Sequence, residues 1–134
     1  MGAGGLTEDE IRDAIANAEA AKEADEKRAA HLVAKNKVQG FIFSLSRLNR
    51  ENASVAPEDL ISRTAPLIEK AEAVLANDDV TTEELEAMAA ELSSFSRDWY
   101  DFIYAREQAE REQQEQEQQQ QQQTAQQDST NDQP

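Results

Sequence analysis

Apolar residues along this chain fall into three helical patterns joined by short polar connections. The first runs from Leu6 to about Leu48 without a proline, and its start carries a full set of signals. Thr7 can cap the helix, Glu10 can close a capping box, and Leu6 and Ile11 flank it as a hydrophobic staple. Glu8, Asp9 and Glu10 place negative charge where the helix dipole favours it. Gly40 is the one weak joint, costing about 1 kcal/mol against alanine.

At about 100° per residue, Ile11, Ala14, Ile15, Ala18, Ala29, Leu32, Val33 and Phe43 share one face of this helix. Val38, Phe41, Ile42, Leu45 and Leu48 share roughly the opposite face. A helix packed on a single partner keeps a single stripe. Here the stripe changes sides, which predicts one partner for the first half and another for the second.

Pro57 suits the first turn of a second helix, carrying Leu60, Ile61, Leu67, Ile68, Ala71, Val74 and Leu75. Pro66 falls inside it and predicts a kink, in preference to a later start capped by Thr64. Asn77, Asp78 and Asp79 make a turn. Thr81, Glu84 and the pair Val80 and Leu85 then repeat the capping box and staple. The third helix places Leu85, Met88, Leu92, Phe95, Trp99 and Phe102 at alternating spacings of three and four, a coiled-coil-like seam for bundle packing. Beyond Arg111 the chain turns to glutamine and glutamate; it can prolong the third helix for some turns, but it has nothing to bury and is expected to end disordered.

The pattern predicts an all-α fold: a long N-terminal helical arm running into a small antiparallel three-helix bundle. Residues 1–5 read as a flexible lead-in, 6–31 as the arm, 32–106 as the bundle and 107–134 as the low-complexity tail.

Composition narrows the chemistry. A net charge of −15 argues against nucleic-acid binding, although Lys27, Arg28, Lys35, Lys37, Arg47 and Arg50 are six of the thirteen basic residues. With no cysteine, disulfides and thiolate metal sites are excluded, as is common in cytoplasmic proteins. No stretch is long and apolar enough to predict a membrane span, the start predicts no secretory leader, and Leu6 stands where a myristoylation motif wants Ser or Thr. His31 is the only histidine, and on a charged helix face it reads as solvated rather than as a general base. Glu8, Asp9, Glu10 and Asp13 read as helix-start acids rather than a metal cluster. The aromatic set Phe95, Trp99, Tyr100, Phe102 and Tyr104 reads as core rather than as a ligand pocket. Nothing here points to an enzyme.

These residues resemble the C-terminal helical lid of the 70-kDa heat-shock chaperones of DnaK type. The run Gly5-Leu6-Thr7-Glu8-Asp9-Glu10-Ile11 is similar to the family's junction between the substrate-binding β-domain and the lid. The likeness continues without a gap through Ile15, Ala18-Glu19, Asp25-Glu26-Lys27-Arg28, Asn36 and Ile42-Phe43-Ser44-Leu45. It covers about residues 5–110, with small insertions near the first connection and Thr81, and the glutamine-rich tail is also similar to bacterial members. The resemblance implies that the arm, through Ile11, Ile15 and Ala18, lies across a β-domain holding unfolded polypeptide, and that the bundle completes the lid. ATP would act only through a separate domain of such a chaperone, so no cofactor is expected in this chain.

In the family, an acidic residue three positions after the Asn, and a His or Tyr four positions further on, latch the lid to the β-domain. Here Asn36 is followed by Gln39 and Phe43, which trade a charge-assisted contact for an amide and a ring, a difference of about 1 kcal/mol. The expected partners are therefore a peptide-binding β-domain and, through it, unfolded polypeptides, with no nucleic acid and no membrane, and with self-association through the arm possible. The alternative is a free-standing helical protein-interaction module with an acidic, Gln-rich tail. The chain reads as a lid alone: a gene fragment, an excised domain or a lid-like protein in its own right.

Overall fold

The computed structural model describes residues 4–131; positions 1–3 of the lead-in and 132–134 of the tail lie outside the described residues. It is all-α, with three helices: α1, Glu8–Asn52; α2, Glu58–Ala76; and α3, Thr82–Asn131. No strand occurs among the described residues.

The start of α1 forms as its sequence dictates. The Glu10 N–H donates to Thr7 Oγ1 at 3.1 Å, and the Thr7 N–H donates to Glu10 Oε2 at 3.2 Å. The box is complete. The staple adds little, because Leu6 and Ile11 both stay largely exposed. At its other end α1 runs four residues past Leu48, and Asn52 Nδ2 donates back to the Leu48 carbonyl at 2.9 Å. In α3, Thr81 Oγ1 accepts from the Glu84 N–H at 3.1 Å, and here both staple residues, Val80 and Leu85, are buried.

Short connections at residues 53–57 and 77–81 make α2 antiparallel to both neighbours, so α1 and α3 run parallel. His31, halfway along α1, lies beside Thr82 at the start of α3. From that level the two helices climb together for about 32 Å to the end of α1. Residues 8–30 therefore project from one end of the bundle for about 34 Å, and α3 continues past Ile103 from the other.

The core is the predicted seam. Leu85, Met88, Leu92, Phe95 and Trp99 of α3 are buried against Ala34, Val38, Leu45 and Leu48 of α1 and Leu60 and Ala71 of α2. Phe41, Ile42, Leu67, Ile68, Val74, Leu75 and Phe102 pack around it. Trp99 lies at the centre, fully buried, with Phe102 edge-on at 6.4 Å. Its Nε1–H donates to Thr64 Oγ1 at 3.2 Å, and the Thr64 hydroxyl donates to the Leu60 carbonyl at 2.7 Å. Thr64 is therefore a core residue within α2, not its cap. The helix passes through Pro66, which cannot donate to the Ser62 carbonyl one turn earlier.

Two expectations need adjustment. Tyr100 and Tyr104 are exposed rather than core, since they sit off the seam that Phe95, Trp99 and Phe102 follow. His31 is half-buried and hydrogen-bonds through Nδ1 to Thr82 Oγ1 at 3.1 Å, so it ties α1 to α3 rather than being simply solvated. As the sequence allows, the tail prolongs α3, which is helical to Asn131. After Gln108 every residue whose burial is described is exposed, so only the helix propensity of Gln, Glu and Ala supports this stretch.

Candidate functional site

The candidate site is the face of α1 that the bundle does not use. From Ala34 onward, Ala34, Val38, Leu45 and Leu48 turn inward. On the other side, Ile11 and Ile15 are 45% and 55% exposed, and Phe43 is 68% exposed. Ala18, Asn36, Gln39 and Gly40 are exposed as well. The two stripes lie on one continuous helix, so the outer face runs unbroken from the free arm into the bundle. Exposed large apolar residues on a small protein mark a place where another surface belongs, when they line one face.

Asn36, Gln39 and Phe43 follow one another at spacings of three and four, which places them together on this face. None of them has a side-chain hydrogen bond or ion pair within the chain among the described residues. An amide, a second amide and an aromatic ring can offer neutral hydrogen bonds and apolar contact, and no fixed charge.

Gly40 lies among them. A Cβ built there meets nothing within 4 Å, so no contact inside the chain calls for a glycine. Gly40→Ala is accordingly expected to stabilise the isolated protein by about 0.5–1 kcal/mol, read as a higher melting temperature. A loss of stability would show that Gly40 serves the bundle.

A second concavity, a groove of ≈ 470 Å³ between α2 and α3, is lined by Arg63, Pro66, Leu67, Lys70, Phe95 and Asp98 among others. Its charges are already matched. Arg63 pairs with Asp59 at 3.1 Å and Asp98 at 3.7 Å and lies over the Phe95 ring, 4.9 Å from its centroid. Lys70 pairs with Glu91 at 2.9 Å. The Arg63–Asp98 and Lys70–Glu91 pairs and the Arg63–Phe95 contact join α2 to α3 on either side of Pro66, and no charge lining the groove is left unpaired for a ligand.

No helix among the described residues is long and apolar enough to cross a membrane. Compared with known proteins, the chain matches no family model and no solved structure.

Proposed function

We propose that this chain is the lid module of a DnaK-type molecular chaperone, closing over unfolded polypeptide held in a β-domain outside the chain and so assisting protein folding. The observation that carries the reading is the division of α1. Its inner stripe builds the bundle, while Ile11, Ile15 and Phe43 stay bare on the outer face of the same rod. A lid needs this construction: a lever whose base lies on one body and whose far half is anchored in another. On this reading Ile11, Ile15 and Ala18 rest on the β-domain, and Asn36, Gln39 and Phe43 form the latch. Phe43 closes by apolar contact, and Gln39 adds at most a neutral hydrogen bond. Gly40 permits close approach between them.

The test joins the chain to a DnaK-type peptide-binding β-domain and follows the release of a labelled peptide. The appended chain should slow release. Phe43→Ala should speed it by up to about tenfold, the worth of an aromatic ring brought partly out of water. Gln39→Glu should slow it, also by up to about tenfold, where the β-domain offers a basic partner. An off-rate indifferent to both substitutions would show that this face is not a latch.

A further inference from the structure

The charges along α1 are segregated. Glu8, Asp9, Glu10 and Asp13 crowd its start, whereas Lys27, Arg28, Lys35 and Lys37 follow, and no acid occurs between Lys27 and Arg50 in a chain of net charge −15. Among the described residues, Glu8, Lys35 and Lys37 have no ion-pair partner. The apolar stripe is uncovered at both ends of the same segment. Ile11 and Ile15 are matched further on by Leu32 and Val33, which are 57% and 54% exposed, with Ala14, Ala18 and Ala29 between them.

We infer that a second copy of this arm can cover the stripe, laid antiparallel. At 100° per residue, Glu8 and Lys37 fall on one flank of the stripe, and Glu10 and Lys35 on the other. Reversing one helix against another sets Glu8 opposite Lys37 and Glu10 opposite Lys35, at both ends of the pair. In that register Ile11 meets Val33 and Ile15 meets Ala29. Near the middle each Lys22 comes beside the Asp25 of the other copy, whereas Glu19 and Glu26, on the flank of Glu8 and Lys37, meet in the same register and oppose the pairing. A parallel pair would instead set Glu8 beside Glu10 and Lys37 beside Lys35, and is repelled at both ends.

The antiparallel overlap spans about 45 Å, and the two bundles lie at its opposite ends. Its middle consists of Ala18, Lys22 and Asp25 rather than large apolar residues, so the dimer is weak and sensitive to salt. Pairing uses the face assigned above to the β-domain, so the two coverings exclude each other. The inference does not rest on the lid reading, because the chain alone tests it.

The experiment is sedimentation equilibrium of the full chain at concentrations up to about 1 mM, enough to register weak association. At low salt a monomer–dimer equilibrium is expected. It should weaken about tenfold or more in roughly 1 M salt, where charges are screened beyond about 3 Å. The double variants Glu8→Lys/Glu10→Lys and Lys35→Glu/Lys37→Glu should each dimerise about tenfold less well or worse. An equimolar mixture of the two should restore dimerisation, because each contact of position 8 with 37 and of position 10 with 35 is then attractive. A frayed or misfolded arm could not be rescued in this way. A wild-type chain monomeric throughout, double variants that dimerise like wild type, or a mixture no tighter than its components would each overturn the inference.

Discussion

Replacing Trp99 by alanine is expected to destabilise the bundle by about 3–5 kcal/mol, the range for emptying a large aromatic site in a core. Trp99 has no exposed surface, packs edge-on to Phe102 and sits where all three helices meet. The bundle is small, and total stabilities of about 5–15 kcal/mol are usual, so this loss removes much of what holds it together. The melting temperature should fall by more than about 12 °C, taking roughly 4 °C or more per kcal/mol for a domain of this size. Part of the effect belongs to the hydrogen bond. Thr64→Val keeps the shape but leaves the indole N–H buried without its acceptor, which should cost about 1–3 kcal/mol. Combined with Trp99→Phe, that penalty should shrink, because the unpaired donor is then gone. A Trp99→Ala protein melting within a few degrees of wild type would show that the bundle is organised otherwise.

Much of this arrangement is legible in the residues. The caps at Thr7 and Thr81 are local chemistry, readable within four positions, and both form. The seam of α3 is legible because large apolar residues at spacings of three and four have one place to go. The change of stripe on α1 is legible for the same reason, and it marks which apolar residues the bundle leaves outside.

What was not legible depends on neighbours from elsewhere in the chain. Thr64 continues the inward stripe of α2, four residues after Leu60 and seven before Ala71, but a polar residue carries no apolar signal. Only the position of Trp99 explains it. His31 and Thr82 are 51 positions apart, and their pairing follows from the parallel alignment of α1 and α3. Residue type alone groups Tyr100 and Tyr104 with the core, although their angles on the helix place them outside it. The far end of α3 is a different case. No glycine or proline occurs between Pro66 and Pro134 to stop it, and no large apolar residue follows Tyr104 to hold it, so neither boundary signal is written there.

The central claim is that α1 is one helix with two obligations, the second of them unmet within the chain. Residues 38–48 are tied into the core, and their amides open only when the bundle does. Residues 8–30 make no packing contact that would hold them: every one of them is exposed. Their hydrogen bonds are helical but depend on an alanine-rich segment without tertiary support, which frays from its free end. Hydrogen exchange on the monomer, dilute and at high salt so that arms do not pair, tests this most directly. Amides of residues 38–48 should exchange slower than those of residues 8–30 by about a thousandfold, the gap between global and local opening. Equal protection in the two halves would contradict the account, because the arm would then already have its partner within the chain.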